Sequence, residues 1–250
     1  MDSLPLYIII LITGFIVGII NTIAGGGSLL TLPILIFCGL PPNVANGTNR
    51  IGIVFQTAFA SAGFKSKGVS TFPFNVYLGI SAVFGALIGA HIAVDVKGET
   101  FTKMLSVVLI VAGLLIIFKP KIKAEQLEER LTGKHLWIGI ISFFFFGIYG
   151  GFLNAGIGFI MILFLHFVHR MNLVRVNATK VVVVFIYTIS ALIVFIVNDK
   201  VNWKIGLILA AGNAIGAWFG SRFAVMKGDR FIKPFLLVIL ILMAVKLWFF

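Results

Sequence analysis

NTIAGGGSLLTLPILIFCGLPPNVANGTNR, residues 21–50, is the stretch whose reading decides the fold. Gly25, Gly26 and Gly27 follow one another in an apolar run, where each weakens a helix by about 1 kcal/mol relative to alanine. Such a cluster predicts a helix that unwinds and turns. Inside a membrane that is tolerated only where the freed amides meet protein, water or a ligand. Ser28 stands where an N-cap for a short helix over 29–38 is expected. The start of that helix would present amides and a positive dipole end to the interior.

Composition says what the surroundings are. Of 250 residues, 60% are hydrophobic and 11% charged, with a mean hydropathy of +1.13. A soluble domain of this size has too little polar surface to hide so much apolar area. Lipid removes the difficulty but requires every backbone amide to find an internal partner. Long apolar runs, rather than ten-residue alternation, select helices over a barrel. The predicted class is all-α, a polytopic membrane protein.

Runs long enough to cross about 30 Å of hydrocarbon occur at 4–24, 43–64, 74–95, 101–118, 136–156, 174–197, 203–226 and 231–249. Two shorter segments, 28–38 and 157–169, each follow a glycine cluster and read as re-entrant or broken helices. With Asp2 and no basic leader, the first run is expected to be a retained helix rather than a signal peptide. The polar stretch KPKIKAEQLEERLTGKH (119–135) divides the chain, giving an N-terminal repeat over 1–118 and a C-terminal repeat over 136–250.

The two halves match in order. Gly14, Gly18, Asn21 and Gly25 recur as Gly147, Gly151, Asn154 and Gly158. VANGTNR (44–50) meets RVNATKV (175–181), pairing Asn46 with Asn177 and Thr48 with Thr179. Gly79, Gly85, Gly89 and Ala90 recur as Gly206, Gly212, Gly216 and Ala217, and KGETFTK (97–103) resembles KGDRFIK (227–233). Ordered matches across both halves indicate a duplication. If each short segment returns the chain to its own side, loops 65–73, 119–135, 170–175 and 226–233 share one strongly basic end. The other end then keeps Lys97, Lys103, Lys200 and Lys204. The positive-inside bias therefore favours inverted repeats with both termini outside.

The candidate site follows from this pairing. Asn21, Gly25, Gly26, Gly27 and Ser28, facing Asn154, Gly156 and Gly158, would place two half-helix N-termini at the midplane, an anion site that needs no charged side chain. The glycines at three- and four-residue spacing, such as Gly14 and Gly18, read as helix-packing surface. Arg50 and Lys180 each sit inside a long helix just after an Asn-x-Thr sequence. Each either snorkels to the interface or faces a cavity and attracts an anion. In the second case Asn46, Thr48, Asn49, Asn177 and Thr179 supply neutral hydrogen bonds beside them.

What is missing narrows the chemistry. The eight carboxylates, Asp2, Asp95, Glu99, Glu125, Glu128, Glu129, Asp199 and Asp229, all fall in loops or at helix ends. A buried carboxylate relay of the kind that cation and proton pumps use is not expected. The net charge of +12 lies between apolar runs, where lipid headgroups account for it better than nucleic acid does. His91 reads as a packed or interfacial histidine. His166 and His169 share the spacing of one helix face but lack companions for a metal site. No nucleophile with a base, phosphate-binding loop or cofactor motif is present, so an enzyme is not expected. Cys38 stands alone and forms no internal disulfide.

The segment from Gly14 to Arg50, with AGGGSLL, TLPIL and PPNVANGTN, resembles the N-terminal signature of the sulfite exporter TauE/SafE family. GIYGGFLNAGIGF followed by VNATK is similar to its second repeat, with Gly156-Ile157-Gly158 where the first half has three glycines. The resemblance covers essentially the whole chain. It implies a cytoplasmic-membrane transporter, an exporter of small sulfur-containing or organic anions such as sulfite or sulfonates, working by alternating access. The partners it implies are the anion, the bilayer and a possible second copy of the chain. An anion channel, or a non-transporting membrane subunit that recruits a partner through its basic end, would share much of this pattern.

Overall fold

A computed structural model describes residues 4–117 and 128–249, with side chains placed except over 112–117 and 227–249. Asp2 and most of the central connection, including Lys119, Lys121, Lys123 and Glu125, lie outside the described residues. All regular structure in the described residues is helical: α1 (Leu4–Ala24), α2 (Ser28–Phe37), α3 (Pro42–Lys65), α4 (Phe74–Asp95), α5 (Gly98–Ile117), α6 (Gly133–Phe152), α7 (Ile157–Phe167), α8 (Leu173–Val197) and α9 (Trp203–Phe249). Among the described residues α1, α4, α6 and α8 are long and apolar enough to cross a membrane. Their outward faces carry exposed Ile9, Ile12, Phe84, Ile88, Ile141, Phe145 and Ile193, a surface suited to lipid rather than water.

Three expectations are corrected. The sixth helix ends at Phe152 instead of continuing to 156, because Asn154 (φ 60) and Gly156 (φ 75) adopt left-handed backbone that cannot continue a helix. Ser28 is not an N-cap. It is the first residue of α2, the cap position is Gly27, and no side chain caps it. The loop expected at 226–233 is helical, since α9 runs unbroken from Trp203 to Phe249. The one glycine of KGDRFIK costs a helix about 1 kcal/mol, and Pro234 directly after it lies within α9 without ending it. Residues 203–226 alone extend about 36 Å, enough for one crossing.

Close glycine contacts set how the helices run. Gly14 of α1 lies against the Leu209 carbonyl of α9, Gly18 against Asn213, and Gly216 against Phe15, so α1 and α9 are parallel. Gly147 and Gly151 of α6 meet Ala82 and Ala86 of α4 in the same manner. The first helix of each half thus packs along the fourth helix of the other. Rising pairs from Thr48 with Asn202 to Gly63 with Ser221 make α3 parallel to α9. Thr71 with Thr179 and Gly79 with Ile186 do so for α4 and α8. Gly47 at the start of α3 abuts Phe195 near the end of α8, so those two are antiparallel.

Therefore α1, α3 and α9 run one way and their counterparts α6, α8 and α4 the other, consistent with inverted halves. Lys65, Lys67, Lys134, Arg170 and Arg175 gather at one end, and Lys97, Lys103, Lys200 and Lys204 at the opposite end. Glu129 pairs with Arg175 at 2.7 Å, and the main chain of Arg130 donates to the His169 carbonyl. Both contacts fasten the end of the central connection to the α7–α8 turn.

Candidate functional site

The two broken helices meet backbone to backbone. Gly25 has φ +84, and a Cβ there would lie 2.7 Å from Cα of Gly158. Only glycine combines that dihedral with that approach. A Cβ on Gly26 would run into the Phe159 ring, so the starts of α2 and α7 are interlocked across the two halves.

An asparagine holds each break. Asn21 donates through Nδ2 to Oε1 of Gln56 on α3 at 2.9 Å, and its Oδ1 accepts from the Gly27 amide at 3.1 Å. In the second half Tyr187 of α8 donates to Oδ1 of Asn154 at 2.6 Å, and Asn154 reaches Ser28 Oγ at 3.4 Å. The spacing that relates Asn46 to Asn177 also relates Gln56 to Tyr187, so these are equivalent struts built from unlike residues. Gln56 and Tyr187 are not legible in the sequence because the repeat kept their place and not their residue type, whereas Thr57 matches Thr188 at the same spacing.

The two cations do not snorkel. Arg50 is 0% exposed and Lys180 2%. Arg50 donates to the carbonyls of Gly150, at 3.1 Å, and Gly151, while its guanidinium stacks on the Phe195 ring at 4.7 Å. Asn46 donates to the Phe152 carbonyl at 2.8 Å. Together they cap the C-terminus of α6. Lys180 donates to the carbonyls of Asn21 at 3.0 Å and Thr22 at 3.1 Å, and to Asn177 Oδ1 at 2.7 Å, capping the C-terminus of α1. Each cation belongs to one half and closes the broken helix of the other, where the dipole end is negative. An ammonium has three N–H donors, and in Lys180 all three are engaged.

Thr48 and Thr179 make contacts between helices. Thr48 Oγ1 accepts from the Asn202 amide at 2.9 Å, and Thr179 meets Thr71 at 2.9 Å. Each pins a long helix to the turn before a partner helix. Asn49 is buried, and neither side-chain polar atom has a partner. Gly156 supplies the left-handed cap of α7. His166 Nδ1 bonds the Met171 carbonyl and His169 Nδ1 the Arg130 carbonyl. Because α7 ends at Phe167, His169 lies beyond the helix face that the spacing implied. No group of three potential metal ligands occurs among the described residues.

Beside the crossing is a cleft lined by Asn21, Gln56, Thr57, Asn154 and Lys180, with Gly25 and Gly158 at its floor. Its free volume is about 10 Å³, of the order that one water needs. Ile157, Val181 and Val184 complete a largely apolar lining that carries a cation and no carboxylate.

A family model described as sulfite exporter TauE/SafE matches residues 10–247. A Haemophilus influenzae protein named "Probable membrane transporter protein" is 30% identical over 245 residues, covering 98% of this chain and 95% of the relative. "Probable membrane transporter protein ORF9" of a Sinorhizobium species is 28% identical over 94% of this chain and 90% of its own. "Probable membrane transporter protein YfcA" of Escherichia coli is 28% identical over 96% and 88%. No solved structure matches.

Proposed function

The chain belongs to the sulfite exporter TauE/SafE family, and from that premise we propose that it is a secondary transporter exporting a small sulfur-containing or organic anion across the cell membrane. The observation that carries this reading is the small cleft at the Gly25–Gly158 crossing, with amide, hydroxyl and ammonium groups among its lining and no carboxylate. Broken helices meeting inside the bilayer, with half-helix N-termini nearby, suit an anion. Relatives named "Probable membrane transporter protein" and aligned over nearly the whole chain point the same way. The basic end lies in the cytoplasm on the positive-inside rule.

Lys180 supplies the coupling step. With its three donors engaged, it holds an anion by releasing one of its acceptors, a carbonyl of α1 or Asn177 Oδ1. Where a carbonyl is the one released, substrate arrival loosens the end of α1 that Lys180 caps, and departure restores it. Arg50 and Asn46 hold the end of α6 in the other half, and we take the two halves to open in alternation about the glycine crossing.

Electrical and tracer recordings on proteoliposomes separate this from a channel. The proposal expects saturable flux of sulfite or sulfoacetate, stimulated by unlabelled anion on the far side. A steady current well above transporter turnover would establish the channel. Absence of any anion flux from folded protein would leave a partner-recruiting subunit.

A further inference from the structure

The groove between α3 and α8 does not end at the small cleft beside the glycine crossing. One helical turn nearer the basic end, Ser61 follows Thr57 on α3 and Ala178 and Val182 flank Val181 on α8. There the groove widens into a second cavity of about 170 Å³. The α3–α4 turn roofs it with Ser70 and Thr71, α4 contributes Asn75, and Lys65 stands at its mouth. Asn75 is 5% exposed, and its Oδ1 and the Ser61 Oγ have no partner. A buried amide or hydroxyl left unpaired costs about 1–3 kcal/mol, and although Phe64, Val69 and Val182 make the lining largely apolar, these polar groups and this volume suffice for water or a small polar ligand.

The opposite end of the same groove is shut. Gly47, the repeat equivalent of Ala178, is pressed by the Lys200 carbonyl and the Phe195 ring. Arg50 covers that ring from the other side. A pseudo-symmetric molecule thus has a cavity at its basic end and a plug at the other.

We propose that the cavity lined by Ser61, Thr71 and Asn75 is the vestibule in which the transported anion is first held, on the basic side, before it reaches the glycine crossing. Lys65 attracts the anion, and the Ser61 hydroxyl and the Asn75 Nδ2 group donate to it in place of its water. Thr57 and Val181 form the partition it must pass. This inference rests on the transport reading and adds the side and the route by which substrate enters the site.

Cysteine accessibility tests it. Cys38 is the single native cysteine, so Cys38→Ser gives a clean background for Ser61→Cys and, on the opposite wall, Val182→Cys. Lys67→Cys on the exposed α3–α4 turn marks the basic side. In neutral-lipid proteoliposomes an impermeant charged methanethiosulfonate should label both vestibule positions only from the side that labels Lys67→Cys, and sulfoacetate should abolish that labelling. Labelling from the opposite side or from both, or no labelling of either folded variant, would overturn the vestibule. Sulfoacetate without effect would also overturn it, as would protection by added anionic lipid alone. Protection without sulfoacetate flux would sink the transport reading while leaving the cavity an anion site. Flux without protection would sink the vestibule alone.

Discussion

Lys180 Nζ on α8 lies 3.0 Å from the Asn21 carbonyl at the end of α1, so a cation from one half caps the broken helix of the other. Arg50 repeats this on Gly150 and Gly151 at the end of α6. Charge at these positions therefore has a structural task before it has a ligand. Both tasks are interrupted when the same groups turn to a substrate.

Lys180→Met keeps the volume of the stem and removes all three donors. The Asn21 and Thr22 carbonyls and Asn177 Oδ1 are left buried without them, a loss of about 1–3 kcal/mol. Thermal unfolding in detergent should show the lowered midpoint, and proteoliposome flux should be lost in the surviving folded fraction.

Arg50→Lys is not conservative here. A guanidinium spans two successive carbonyls and stacks on Phe195, a geometry that a single ammonium does not reproduce. The variant should unfold at a lower temperature than wild type, and Phe195→Leu should lower stability further in wild type than in the Arg50→Lys background. Additive effects in that double-mutant cycle would show that the ring contact contributes nothing.

Gly25→Ala and Gly68→Ala separate dihedral strain from crowding. Gly68 has φ +74 and nothing within 4 Å of an added Cβ, so its alanine variant bears only the left-handed cost of about 1–2 kcal/mol. At Gly25 the same cost is joined by collision with Gly158. Gly25→Ala should be the more destabilised of the two and should stop flux, whereas Gly68→Ala should transport.

Much of this was readable beforehand. The bounds of α4 and the starts of α2 and α7 follow from glycine clusters and apolar run lengths. The ordered glycine matches anticipated which surfaces meet, Gly14 and Gly18 with α9, Gly147 and Gly151 with α4. Gln56 and Tyr187 escaped because duplication preserved their place and not their chemistry. Asn154 ended α6 early by accepting positive φ, which a residue name alone does not announce. The direction of Arg50, reaching a carbonyl 100 positions away, is a product of tertiary packing that no local pattern records.

His169 gives the fold a pH dependence outside the membrane spans. Burial holds its imidazole below the ordinary value, outweighing the opposing bond to the Arg130 carbonyl, and nearby His135 adds to the lowering. The folded state thus keeps this ring neutral where the unfolded chain, titrating at about 6.5, is already protonated. Its contribution to stability should be complete above pH 6.5 and decline as pH falls below it. Unfolding midpoints measured between pH 8 and pH 5 should drop on the acid side, and His169→Gln should flatten that part of the curve.

The most direct test of the central claim is sulfoacetate flux into proteoliposomes by wild type and by Asn21→Ala, with folding of both verified by size-exclusion chromatography. Asn21 joins the break in α1 to Gln56 and to Gly27 and lines the cleft. The account predicts saturable flux by wild type and its loss in the folded variant. Undiminished flux through Asn21→Ala would contradict a substrate site at the glycine crossing, and no flux through wild type would contradict anion transport itself.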